Sequence, residues 1–249
     1  MIDLNHGSNK KQTVGEVINN LIDNWLTAEN AKQAPRSYVS TSGIGRNCLR
    51  QIQYDYLAVP KDKLFDGPTL RRFQSGHKGE IVMAEWLRGA GFDLRTERAD
   101  GKQYGFSVVD GRFSGHIDGV LLSCDHPVPM QFPALWESKE LGAKVWNAVV
   151  KAGKLAISKP VYAAQVALYQ AYMDLPNPAL FTARNRDTQE IYCEMVPFDA
   201  ALAQEMSDRA VQVIQASDAR ELLPRCASSA DYFECKWCSW SQTCWEDDK

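Results

Sequence analysis

The sequence predicts an α/β protein, with a mixed β-sheet core flanked by helices and a helical lobe added to it. Two observations lead there. Helical periodicity dominates both ends of the chain, while strand-like runs bounded by turn residues fill the middle. The chain has 249 residues, 45% hydrophobic and 24% charged, which is enough for one large domain with a helical elaboration. Residues 1–36 read as an N-terminal helical segment and 37–249 as the main domain. Its cysteine-rich tail, 226–249, is expected to pack on the N-terminal lobe.

Each element has its own signal. Val14, Val17, Ile18, Leu21, Ile22 and Trp25 recur at helical spacing, giving a helix over 13–30. Ser40-Thr41-Ser42 offers an N-cap for a second helix through 46–57. Gly67-Pro68-Thr69 breaks the chain before a long helix over 70–87, which Gly89-Ala90-Gly91 closes. Strands follow at 92–97, 104–109 and 112–124, with Asp110-Gly111 as a hairpin turn between the last two. After a proline-rich loop, 135–141 is a short strand. Helices return at 144–151 and 161–173. A second hairpin joins 179–183 to 190–196, and Asp199 caps a helix over 199–222.

Bulk properties narrow the function classes. No apolar run approaches a membrane span, and the N-terminus lacks a charged-then-apolar leader pattern, so a cytoplasmic location without membrane contact is expected. A net charge of −3 weighs against a protein that coats nucleic acid nonspecifically, though not against an enzyme whose carboxylates subtract charge locally. Seven cysteines, an odd number, in an expected reducing compartment argue against a disulfide framework.

The chemistry gathers around Asp118, in Gly115-His116-Ile117-Asp118-Gly119, and Glu137-Ser138-Lys139. Alternation along a strand puts Glu137 and Lys139 on one face, and Asp118 ends the preceding apolar run within reach. Clustered carboxylates repel unless a cation joins them, and their oxygens suit Mg²⁺ or Mn²⁺. A lysine beside them can orient water or stabilise an oxyanion, an arrangement for metal-assisted phosphodiester cleavage. His77 and Glu80 lie within one helical turn, and Gln165 and Tyr169 share a helix face. A glutamine and a tyrosine hydroxyl could hold a phosphate or a water, and the ring could stack on a base. Taken singly, Glu80 is better explained as a surface residue and the Gln165–Tyr169 pair as part of an amphipathic core helix.

The ordered set Gly76-x-x-x-Glu80, Gly115-His116-Ile117-Asp118, Glu137-x-Lys139 and Gln165-x-x-x-Tyr169 resembles the RecB-like branch of the PD-(D/E)XK nuclease superfamily, over about residues 40–245. The resemblance implies a restriction-endonuclease-like core. It makes Asp118, Glu137 and the Ser138 carbonyl ligands of the divalent metal, with Lys139 positioning or helping to deprotonate the attacking water. Gln165 and Tyr169 become the motif near DNA. The helix position of this branch is often His, whereas phage-type relatives carry Glu, which favours Glu80 with His77 as its rival.

Cys235-x2-Cys238-x5-Cys244 is an incomplete metal set that needs a fourth ligand, and Cys48, at the head of a helix, is the best candidate. Cys226 is the substitute, but it follows Pro224-Arg225 with no partner at short spacing, and Cys124 and Cys193 read as buried thiols. Zinc would use the same four thiolates. The one-plus-three pattern is similar to that of the iron–sulfur RecB-like nucleases, among them AddB and the CRISPR-adaptation exonucleases, which implies a 4Fe–4S cluster. Trp237, Trp240 and Trp245 are placed to shield it. The expectation is a metal-dependent DNA exonuclease acting on single-stranded or opened duplex ends. The alternatives are a catalytically silent DNA-end-binding or adaptor subunit of a recombination, CRISPR-adaptation or phage complex, and a sequence-specific endonuclease.

Overall fold

The computed structural model describes residues 12–246. It opens with helix α1 (Val14–Ala31), then the two-residue strand β1 (Val39–Ser40) and helices α2 (Thr41–Ile44), α3 (Leu49–Tyr56) and α4 (Gly67–Gly89). Strands β2 (Phe92–Arg95), β3 (Gly105–Val108), β4 (Phe113–His116), β5 (Gly119–Cys124) and β6 (Ala134–Leu141) follow. Helices α5 (Ala143–Ala152), α6 (Leu155–Ser158) and α7 (Pro160–Tyr172) lead to β7 (Ala179–Asn185) and β8 (Ile191–Val196). The chain closes with α8 (Ala200–Asp218), α9 (Phe233–Lys236) and α10 (Ser241–Glu246).

The expected mixed sheet is present, as five strands in the order β2-β5-β6-β7-β8. Within this sheet only β6 and β7 run parallel, and α5, α6 and α7 make the crossover between them. A smaller sheet, β1-β4-β3, stands beside it. Alternation along β6 divides the core. Leu135 and Leu141 join Val149, Val166 and Phe181 on the α5–α7 side, while Ala134 and Trp136 join Met83 and Ala84 of α4 on the other. Glu137 and Lys139 therefore face α7.

Several boundaries differ from the sequence expectation. The helix expected over 46–57 is α3 alone, starting at Leu49, and the expected cap residues Thr41-Ser42 belong to a separate short helix, α2, with Gly45 after it pressed on α7. A Cβ there would lie 3.0 Å from Val161 Cα. Gly67-Pro68-Thr69 is the first turn of α4, not a break. Asp66 caps the helix by accepting from Thr69 N–H, and proline is tolerated where no helical N–H is needed. The strand expected over 112–124 is two strands in different sheets, parted at Ile117-Asp118. The Asp110-Gly111 turn is present, with left-handed backbone at Val109, Asp110 and Gly111. Asp199 caps α8 as expected, accepting from Leu202 N–H at 2.9 Å.

Candidate active site

The interruption between β4 and β5 is what places Asp118. Ile117 is fully buried, its N–H donating to Tyr104 C=O and its C=O accepting from the Gln103 amide, both at 3.0 Å. The next residue turns its carboxylate toward β6, where Asp118 Oδ2 accepts from Ser138 N–H at 2.7 Å. The N–H and C=O of a strand residue point to the same neighbour, so the Ser138 carbonyl also faces Asp118.

Glu137 is fully buried. The Lys139 ammonium bonds its Oε1, and Oε2 finds no hydrogen-bond partner among the described residues. Burial, with the Asp118 charge next, pushes the Glu137 carboxyl up to about 8. Glu80, half-buried on α4, is raised to about 7 by desolvation and then by Asp118. Asp118 is raised too, chiefly by burial, against the pull of Lys139, the Ser138 N–H and His77. Burial disfavours the Lys139 charge, but Glu137 and Asp118 outweigh it and hold its pKa above the ordinary range. The Lys139 ammonium lies 5.4 Å from the Tyr162 ring centroid.

The structure thus brings Glu80, Asp118, Glu137 and Lys139 into one electrostatic group. His77 is exposed and acts on Asp118 from outside. Gln165 and Tyr169 lie beneath the group, both buried, so the tyrosine ring is not free to stack on a base. The Thr41 hydroxyl (2.9 Å) and the Gln165 amide (3.1 Å) donate to the Tyr169 oxygen. Burial, then the nearby Glu137 charge, raises the Tyr169 phenol. Thr41, expected only in a helix cap, and Tyr162 join the site without having been expected there. Tyr162 stands two turns before Tyr169 on the same helix, whereas the contact of Thr41 with Tyr169 spans 128 residues and leaves no local signal.

Among the described residues no three His, Cys, Asp or Glu side chains stand arranged to hold a metal ion. The donor chemistry nevertheless fits a hard divalent cation. A buried Glu137 carboxylate oxygen lacks a partner among the described residues, Asp118 is raised by burial, and Glu80 is raised by burial and then by the Asp118 charge.

No family model matches the chain, and no curated protein matches it. Solved structures do. The alkaline exonuclease LHK-Exo from Laribacter hongkongensis matches with a TM-score of 0.54 at 16% identity, covering 79% of this chain and 93% of that one. LHK-Exo in complex with dAMP matches with a TM-score of 0.52 at 16% identity, over 74% and 89%. The chain has the fold of that alkaline exonuclease. Similarity to LHK-Exo at this identity concerns architecture and carries no residue roles.

The cysteine-rich tail packs on α3 and the residues after it. The Trp240 indole donates to Val59 C=O at 2.9 Å and its ring meets Tyr54 at 6.1 Å, while Asp62 accepts from the first N–H groups of α10. Cys48 caps α3, Cys235 lies on α9 and Cys244 on α10. The thiols are mutual neighbours: Cys48 and Cys244 both bear on Cys235 and Cys238. Cys226, set aside on spacing, joins them. It is hydrogen-bonded to Cys48, its thiol lies 3.8 Å from a Glu234 carboxylate oxygen, and burial pushes it up to about 12. The stretch between α8 and α9 folds back over α3, which brings Cys226 there despite its lack of a partner at short spacing. Cys193, expected buried, is exposed on β8, and Cys124 is half-buried. Trp240 is buried, but Trp237 is 88% exposed and shields nothing.

Proposed function

We propose that this protein is a divalent-metal-dependent DNA exonuclease that hydrolyses phosphodiester bonds from DNA ends, with residues 37–249 as its nuclease domain. The observation that carries the reading is the buried, part-unpartnered Glu137 carboxylate, set beside Asp118 and Glu80 with Lys139 on the same strand face. The shared fold with an alkaline exonuclease supports it. Glu80, Asp118, Glu137 and the Ser138 carbonyl would hold Mg²⁺ or Mn²⁺, with His77 the outer alternative to Glu80. When bound, the metal supplies electrophilic charge to the scissile phosphate.

The chain's own residues do the rest. Lys139 keeps its proton, so it is suited to orienting the attacking water and stabilising developing negative charge. Gln165 and Tyr169 act from below, fixing α7 against α2 and setting the depth of the carboxylate floor. No helix among the described residues is long and apolar enough to cross a membrane.

We further propose that Cys48, Cys235, Cys238 and Cys244 hold a 4Fe–4S cluster, zinc being the other occupant that four thiolates allow. Support comes from the thiols' mutual electrostatic influence across the junction of the tail and α3.

Two measurements test these readings. End-labelled linear DNA incubated with Mn²⁺ should be degraded, and covalently closed circular DNA spared. Asp118→Ala and Lys139→Ala should each lower the rate by at least about 100-fold. Full activity in both variants would overturn the enzyme assignment, and binding without cleavage by the wild type would make it an end-binding subunit. Protein purified without oxygen should show the brown iron–sulfur absorbance, whereas a colourless protein with stoichiometric zinc would remove the cluster and leave the nuclease.

A further inference from the structure

Helix α1 is inverted. An amphipathic surface helix turns its apolar stripe to the core, but in α1 Val14, Val17, Ile18, Leu21, Ile22 and Trp25 are all between 41% and 76% exposed. Contact with the body falls on the opposite face and on the second half of the helix, where Leu26 is buried and Asp23 pairs with Arg71 of α4. The outward stripe is a seam. Val14, Ile18, Leu21, Trp25 and Ala28 follow alternating steps of four and three, the spacing of residues that face a partner helix.

We infer that this seam is a self-association surface, and that two copies of the chain pair α1 against α1 in antiparallel fashion about a two-fold axis at Leu21. Three observations select a second copy. First, the six residues together leave roughly 600 Å² exposed per helix, so a symmetric pair that covered the seam and its flanking Val17 and Ile22 would bury up to roughly the 1,200 Å² at which stable interfaces begin. Second, the seam carries no charge that a copy of itself would repel. Glu16 is used in the capping box with Thr13, Asp23 pairs with Arg71, and Glu29 pairs with Lys32. Nor does it carry a cation that would suit a phosphate backbone. Third, the side-chain sizes complement each other antiparallel. Trp25 lies across from Ile18 and Val14 from the small Ala28, whereas a parallel pair would set Trp25 on Trp25 and align the helix dipoles unfavourably.

The test uses the full-length chain without DNA. Sedimentation equilibrium should give twice the chain mass of 27.9 kDa. Leu21→Asp should give the single-chain mass with an unchanged circular dichroism spectrum, and Leu21→Ile should restore the pair. Oxidised Val14→Cys/Ala28→Cys should cross-link between chains, and Val14→Cys alone should not. A wild type that sediments as a single chain at tens of micromolar, or an L21D variant that still pairs, overturns the inference. A cross-link with V14C alone overturns the antiparallel arrangement.

Discussion

Lys139 and Glu137 depend on each other for their charges. The lysine neutralises Glu137, which would otherwise be a lone buried charge, and it keeps its own proton while doing so. The raised carboxyls have a consequence for stability. Glu80 and Glu137 titrate near 7 and 8 in the folded chain against an ordinary 4.5. Between those values the folded state binds protons that the unfolded state has released, so their contribution is complete below about pH 4.5 and is lost as pH rises through 7 and 8. In chelator, the melting temperature should therefore fall from pH 5 to pH 8. Mn²⁺ should restore it at pH 8 and do little at pH 5, and Glu137→Gln should flatten the slope. Carboxyls held below their ordinary range, such as Asp62 and Asp66, titrate beneath this window and do not interfere. A melting temperature in chelator that climbs over the same interval would contradict the burial argument. Tyr169→Phe keeps the ring but leaves the buried Thr41 and Gln165 donors without their acceptor, and should cost about 1–3 kcal/mol in chemical denaturation. Little change there would mean that water replaces the phenol oxygen.

At the scale of elements, the approach of α4 to the sheet decides where Glu80 sits. Gly79 packs over the Glu140–Arg184 ion pair, and a Cβ there would lie 2.5 Å from Glu140 Oε2. Gly79→Ala should destabilise the fold by about 1–3 kcal/mol and lower metal affinity by lifting Glu80 away, a change that calorimetric Mn²⁺ titration would read. Unchanged affinity would separate the helix position from the ligand set. Periodicity and turn chemistry announced α4, β6, α7 and both hairpins. The division of 112–124 has only the turn-type dipeptide Asp118-Gly119 as a local sign, and pairing with β3 and β2 on either side is what shows two strands. For the same reason Asp118 looked like a strand end when it stands at the junction of two sheets. The pairing of β1 with β4 is tertiary and leaves no local trace. In α1 the periodicity predicted the helix correctly but not which side its stripe would face.

At the scale of the molecule, the first and last segments are built into one another. Gln53 exchanges hydrogen bonds with Glu221 and Leu223, and Arg50 donates to Leu223 C=O at 2.6 Å. Cys48→Ser should remove any visible absorbance and lower the melting temperature, whereas Cys193→Ser, at an exposed strand position, should change neither. Equal effects of the two would argue against a shared thiol site. This interlock also bears on how the protein is made. Asp62 meets its partner Gln242 across a sequence separation of 180 residues, so in a chain leaving the ribosome β1 can find β4 early, but the segment from α3 through Asp62 waits for residues beyond α8 to cover it. That segment can reach its final place only when synthesis is nearly complete, which leaves its apolar side chains open to wrong contacts for most of translation.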